Sequence, residues 1–127
     1  MEKPQNGKAY DLTFHQHQDY LYALVEGPRD SFNISISYWD EIAARVREGG
    51  YKKVLVEERL GTNVSKLEAF RIAARTSRMD FNGARIAFVD KVSDHKCVNE
   101  FAMGVSQSRG RVVRCFDTLH EAVVALC

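Results

Sequence analysis

The sequence contains no run of about eighteen consecutive apolar residues, which is the length that a membrane-spanning helix requires. It also lacks an excess of either charge, because 18 lysine and arginine residues face 17 aspartate and glutamate residues. Without a net basic field, the chain has no general electrostatic attraction to nucleic acid or to an anionic membrane. We therefore predict neither a membrane span nor a nucleic-acid-binding function.

Cysteine is scarce, and its distribution does not suit a disulfide framework. Cys97, Cys115 and Cys127 are odd in number and far apart, and no two of them form a C-x-x-C pair. This pattern is typical of reduced thiols. The first residues, MEKPQNGKAYDL, contain no apolar segment of signal-peptide length. We therefore expect a cytoplasmic protein.

The sequence lacks the motifs of several common catalytic and metal sites. Neither G-x-G-x-x-G nor G-x-x-x-x-G-K-[ST] is present, and there is no H-E-x-x-H. His15 and His17 share one face of a predicted strand, but zinc needs three or four ligands and no close His/Cys cluster supplies the others. We therefore predict no catalytic residues, no cofactor and no metal site.

The apolar residues that are present follow a clear order of elements, which begins with two strands. Tyr10, Leu12 and Phe14 alternate with polar residues, and the segment 20–27, YLYALVEG, is almost continuously apolar. These two segments predict an antiparallel hairpin with its turn in QHQD. A helix follows with Trp39, Ile42, Ala43 and Val46 on one face, and Gly49 and Gly50 predict its end.

Three strand and helix pairs complete the chain. The predicted strands are KVLVEE, ARIAFVD and RVVRCF. The helix after the first of them spans about residues 65–78, the next carries Val98, Phe101, Ala102 and Val105, and the last ends near Leu126. Because parallel strands need crossover connections, this order predicts an α/β fold. Its mixed sheet has about five strands, an N-terminal antiparallel hairpin followed by parallel strands, with about four helices. We predict one domain over residues 9–127, preceded by a flexible tail at residues 1–8.

Four polar loops follow predicted strands, at the edge where α/β sheets bind ligands. They read GPRDSFN, ERLGTNVS, VDKVSDHK and FDTLHE. The second loop contains the principal candidates for ligand or switch residues, which are Gly61, Thr62, Asn63 and Ser65. Secondary candidates at the same edge are Arg29, Asp30, Asp90 and His95.

Ser65 has two interpretations. Ser65 and Glu68 have the spacing of a capping box, in which the serine oxygen accepts a hydrogen bond from the Glu68 N–H. The same spacing recurs at Thr118 and Glu121. Alternatively, the hydroxyls of Thr62 and Ser65 and the dipole of the helix favour a bound anion or a phosphate at this position.

Cys97 is the one nucleophile that we considered for an enzyme. It follows His95 by two residues in a predicted first helical turn, where the pKa of a thiol can be lowered. An ordinary packed cysteine is the simpler interpretation, because neither a resolving cysteine nor an acyl-transfer motif accompanies it.

The order of elements, the Thr62/Ser65 loop and the ending RVVRCFDTLHEAVVAL resemble the STAS superfamily, in particular its bacterial, SpoIIAA-like branch of anti-sigma-factor-antagonist-like proteins. The resemblance covers about residues 10–126 and rests mainly on topology. It implies a non-catalytic regulatory module that binds protein partners. In many members a serine or threonine that opens the second helix is phosphorylated, and on this chain that residue is Thr62 or Ser65. The chain differs from the family here, since residues 57–62 read EERLGT instead of an Asp-Ser-Ser/Thr-Gly-like sequence.

The candidate partners are therefore a protein, a small anion or an apolar ligand, and a second copy of the chain. The last would pair through the aromatic hairpin residues Tyr10, Phe14, Tyr20 and Tyr22. A small-ligand or lipid-binding carrier domain is the alternative function, by analogy with other members of the branch.

Overall fold

Residues 9–127, the part of the chain that the computed structural model describes, contain a mixed five-stranded sheet with helices on both faces. The predicted tail at residues 1–8 lies outside the described residues. The strands are β1 (Asp11–Gln16), β2 (Leu21–Gly27), β3 (Lys53–Leu60), β4 (Arg85–Val89) and β5 (Val113–Phe116), and the helices are α1 (Phe32–Gly49), α2 (Lys66–Thr76), α3 (Lys96–Ser108) and α4 (Leu119–Leu126). A short 3-10 turn, Ser93–His95, precedes α3. The predicted order of elements is confirmed.

The strands follow one another across the sheet in chain order. β1 and β2 are antiparallel, with Gln16 opposite Leu21, and the His17 N–H donates to the Tyr20 carbonyl at 2.9 Å to close the turn. β2, β3, β4 and β5 are parallel to one another. The predicted hairpin followed by parallel strands is therefore confirmed.

The first three helices cover one face of the sheet. Because parallel crossovers are right-handed, successive connections that advance in one direction place their helices on the same side. α2 packs chiefly against α1 and α3 instead of against the strands.

Two separate sets of apolar side chains form on the two faces. On the α1 side, Val54 and Val56 of β3 pack with Ile42 and Val46 of α1. On the other side, Leu55 packs in a smaller cluster that includes Ala122 and Leu126 of α4. The alternation along β3 therefore divides its side chains between the two faces.

Capping residues mark the beginning of α2 and α4 and the end of α1, at the positions that the sequence predicted. The Ser65 oxygen accepts from the Glu68 N–H at 3.2 Å, and the Thr118 oxygen accepts from the Glu121 N–H at 3.2 Å. Gly50 follows α1 with φ of 67°, a left-handed conformation that glycine adopts without steric cost. These caps confirm the predicted ends of three helices.

Two aromatic residues on predicted apolar helix faces are only partly buried. Phe101 of α3 is 40% exposed, and Trp39 of α1 is half-buried at the wall of a cavity. Periodicity identifies a common face of a helix but not the depth to which neighbouring elements cover it. Trp39 lines this cavity, whereas Phe101 is not among the lining residues and lies beside Lys66 of α2.

Candidate functional site

Most of the principal candidate loop lies at the surface. Gly61, Thr62 and Ser65 are exposed, at the N-terminus of α2. A Cβ atom on Gly61 would lie 2.4 Å from the Pro28 carbonyl oxygen, so the two loops approach each other too closely for a side chain. The Thr62 carbonyl also accepts from the Asp30 N–H at 2.9 Å. The structure thus joins the loop at residues 61–65 to the loop that precedes α1.

Asn63 connects the same loop to the interior. Its Oδ1 accepts from the Val64 N–H at 2.8 Å, and its Nδ2 donates to Asn99 Oδ1 at 3.1 Å. Asn99 in turn donates to Asp90 Oδ2 at 3.0 Å, and this same oxygen lies 2.8 Å from His95 Nδ1. A chain of polar contacts therefore runs from the exposed loop to a histidine that is 5% exposed.

A buried carboxyl group, Glu58, lies beside this chain of contacts. Glu58 is 4% exposed, and its Oε2 accepts a hydrogen bond from the hydroxyl of the fully buried Tyr38. Its other oxygen, Oε1, is buried and has no hydrogen-bond partner among the described residues while Glu58 is ionised, whereas protonated Glu58 can donate a hydrogen bond to Asp90. A buried polar atom without a partner is rare in folded proteins and calls for an explanation.

The carboxyl groups around Glu58 make ionisation costly. Burial raises the pKa of Glu58 well above its ordinary value, and the negative charges of Asp30 and Asp90 raise it further. Burial also raises the pKa of Asp30 to about 6, although hydrogen bonds from Ser35 and from the Ser31 N–H oppose this rise. The carboxyl edge of the sheet therefore has a concentration of acidic groups, of which Asp90 is paired with His95.

A cavity of about 90 Å³ extends inward from this acidic group. α1, α2 and α3 form its outer walls, and side chains of β3, β4 and β5 form its floor. Asp30, Glu58, Asn63 and Asn99 line it together with a larger number of apolar residues. Two predicted site residues, Asp30 and Asn63, thus contribute to one cavity.

Among the described residues, Glu58, Asp90 and His95 are the group that could hold a metal ion, since their donor atoms lie within 4.8 Å of one another. The contact between Asp90 and His95 already pairs two of these groups directly at 2.8 Å. A hydrogen-bonded cluster therefore accounts for the arrangement, and the absence of a metal site stays a prediction.

The remaining candidates lie apart from the cavity. Arg29 is exposed, and Cys97 is exposed in the first turn of α3, whereas the His95 that the enzyme interpretation pairs with it is buried against Asp90. His15 and His17 lie near the rings of Tyr22 and Tyr20, with centroid distances of 6.1 Å and 4.7 Å respectively. These histidines thus take part in ring contacts on the hairpin.

Sequence reasoning did not identify Glu58, Tyr38 and Asn99 as site residues. The available signal was the pair Glu57 and Glu58 at the end of an otherwise apolar strand, since alternation sends the two carboxyl groups to opposite faces. On the other face, burial acts to raise the pKa of Glu57, but hydrogen bonds from Tyr22 and Arg59 outweigh it and hold that pKa below the ordinary value. Only Glu58 faces the cavity.

This arrangement of strands and helices is the STAS-like fold of the anti-sigma factor antagonists. An anti-sigma factor antagonist from Mycobacterium paratuberculosis superposes with a TM-score of 0.63 at 12% identity, covering 94% of this chain and 96% of its own. The anti-sigma factor antagonist SpoIIAA in its unphosphorylated form gives 0.57 at 14% identity, covering 93% and 96%. The protein TM1081, solved by NMR, gives 0.58 at 13% identity, covering 99% and 96%.

At the level of sequence, no protein-family model and no curated protein matches the chain. In the described part of the chain, no helix has both the length and the apolar character needed to cross a membrane.

Proposed function

We propose that the protein is a non-catalytic regulatory module that binds a protein partner through the N-terminal half of α2 and the loop before it. The observation that carries this proposal is the exposure of large apolar side chains beside Ser65. Leu67 is 70% exposed and Phe70 is 41% exposed, one helical turn apart on α2. Contiguous exposed apolar residues are typical of protein-binding surfaces.

This surface continues onto α3 and includes positive charge. Phe101 is 40% exposed, and the Lys66 ammonium lies 5.9 Å from the centroid of its ring. The Arg71 guanidinium lies 4.7 Å from the centroid of Phe32. We call the residues Leu67, Phe70 and Phe101 the α2 patch; its apolar centre and basic surroundings suit a partner with an apolar anchor and acidic flanks.

A binding assay with an anti-sigma-type protein from the same genome tests the α2 patch. Leu67→Glu places a charge at the centre of the patch, so the affinity measured by titration calorimetry should fall at least tenfold, or about 1.4 kcal/mol. The matched control is Val124→Glu, because Val124 is 61% exposed on α4, on the other face of the sheet. Equal affinities for the wild type and Leu67→Glu would refute the proposal.

Ser65 is proposed as the regulatory position within this surface. Ser65→Asp retains a capping oxygen and adds a negative charge near the positive end of the helix dipole, so the variant should fold normally and change partner affinity. Ser65→Ala removes only the cap and should cost about 1 kcal/mol of stability. If Ser65→Asp folds and binds the partner as the wild type does, Ser65 acts only as a cap.

The proposal treats residues 9–127 as one regulatory domain. The cysteines, which are odd in number and far apart in the sequence, support a cytoplasmic location for it. A small anion would bind at the backbone N–H groups of residues 61–65, where the helix dipole favours it.

Pairing of two copies through the hairpin would be detected by light scattering at micromolar concentration.

A further inference from the structure

The cavity beneath α2 lies between the helix layer and the sheet. α2 packs between α1 and α3 and stands away from β3 and β4, and no residue of α3 is fully buried. The resulting space of about 90 Å³ is lined mainly by apolar side chains, among them Ile72, Phe88 and Val98. It is smaller than an apolar cavity of about 150 Å³ that accepts benzene. A ligand that fits without movement of α2 therefore has fewer heavy atoms than benzene, about three to five.

The chemical character of the cavity changes at the carboxyl edge of the sheet. Asp30 and Glu58 both line it there, and Glu58 is 4% exposed with one oxygen that, in the described part of the chain, lacks a partner when Glu58 is ionised. Asp90 lies next to Glu58 but outside the lining. This end of the cavity therefore offers hydrogen-bond acceptors and negative charge to whatever occupies it.

We propose that this cavity binds a small aliphatic amine, with the ammonium group against Glu58 and Asp30 and the alkyl chain between α2, α3 and the sheet. A buried carboxylate needs a paired cation or a hydrogen-bond donor, and an ammonium group supplies both. A fatty acid or another carboxylate would place like charges together and is disfavoured. The site lies beneath α2 and does not depend on the partner-binding surface proposed above.

The electrostatics of the cavity favour a bound cation. Burial, together with the charges of Asp30 and Asp90, raises the pKa of Glu58 well above its ordinary value. A nearby cation favours the ionised carboxyl group and so offsets this repulsion. The apolar walls do not suit a bare metal ion, which would leave most of the cavity without a partner.

Tryptophan fluorescence and thermal unfolding test this proposal directly. The chain has a single tryptophan, Trp39, which lines the cavity, so its emission reports on occupancy. n-Butylamine should change this emission saturably at millimolar concentration and raise the midpoint of thermal unfolding. Butyrate, which has the same chain length and the opposite charge, should do neither. 1-Butanol, which lacks the charge, should bind at least about tenfold more weakly, because a charge-assisted hydrogen bond is the stronger one.

Two variants separate the acidic end from the apolar walls. Glu58→Gln retains an acceptor for Tyr38 and should fold, yet its affinity for n-butylamine should be at least about tenfold lower. Glu57→Gln is the matched control, because Glu57 is a buried carboxyl group of the same strand on the opposite face; its affinity should equal that of the wild type. Ala102→Leu should fill part of the cavity and reduce binding of the alkyl chain.

Any of three results would overturn the proposal: no saturable change with n-butylamine, equal affinity of Glu58→Gln and the wild type, or equal binding of butyrate. Titration with ZnCl₂ alone distinguishes a metal site at Glu58, Asp90 and His95. Zinc binding that Glu58→Gln abolishes, in the absence of amine binding, would replace the amine with a metal ion and refute the proposal.

Discussion

The buried carboxyl group of Asp30 should make the protein less stable as pH rises from about 4 to about 6. Burial raises the pKa of Asp30 from an ordinary value of 3.8 to about 6. Since one pKa unit corresponds to about 1.4 kcal/mol, ionisation of Asp30 in the folded state should cost up to about 3 kcal/mol. The folded state holds this proton more tightly than the unfolded state. The stability is therefore present below pH 3.8 and is lost as pH rises through about 6.

Asp30→Asn isolates this effect because it removes the ionisable proton and keeps an oxygen acceptor. Asp30 Oδ1 accepts from the Ser31 N–H at 2.8 Å and from Ser35 Oγ at 2.7 Å, and the asparagine oxygen can accept both. Urea unfolding measured between about pH 3.5 and 7.5 should show a wild-type decline that the variant largely lacks. The difference in pH dependence between the wild type and Asp30→Asn also includes a contribution from Glu58, because the charge of Asp30 helps to raise the pKa of Glu58.

A second carboxyl variant checks the sign of the reasoning. Glu57 has a pKa below its ordinary value, so its ionised form stabilises the fold, and this contribution is lost as pH falls. Glu57→Gln should therefore remove a rise of stability with pH that lies below about pH 4.5, and should leave the decline between about 4.5 and 6 unchanged, whereas Asp30→Asn removes that decline. Parallel pH profiles for the wild type and Asp30→Asn would show that water reaches Asp30 freely, and the argument from burial would be wrong.

Two further predictions concern the close approach of two loops and the reactivity of the thiols. Gly61→Ala should cost about 1–3 kcal/mol of unfolding free energy, because its Cβ would lie 2.4 Å from a backbone oxygen. Gly104→Ala in α3, with no atom within 4 Å of the added Cβ, should instead stabilise by about 0.5–1 kcal/mol, and equal effects in urea unfolding would contradict the contact. Burial raises the pKa of the Cys115 thiol to about 12, so iodoacetamide should alkylate it at least about tenfold more slowly than the two exposed cysteines. Peptide mass spectrometry measures the three rates, and fast alkylation of Cys115 would show that the cavity opens readily.

The order of strands and helices could be predicted from the sequence because the signals are local. Gly50 ends α1, and Ser65 caps α2 through the Glu68 N–H only three residues away. The alternation of the hairpin and the near-continuous apolar run of β2 likewise depend on neighbouring residues alone. Right-handed crossovers then restrict the parallel part of the sheet to few arrangements. Each of these steps needs no knowledge of distant contacts.

The candidate site was only partly predictable, because it depends on segments that are distant in the chain. Asp30 and Asn63 were identified from their loops, but the burial of Glu58 beneath Tyr38 joins residues of α1 and β3 that no local pattern relates. A glutamate at the end of a strand is ordinarily exposed. It is buried here because Tyr38 of α1 covers it and because Asp30 and Asp90, from two separate loops, lie beside it. The cavity lies where α2 packs against α1 and α3 instead of against the strands.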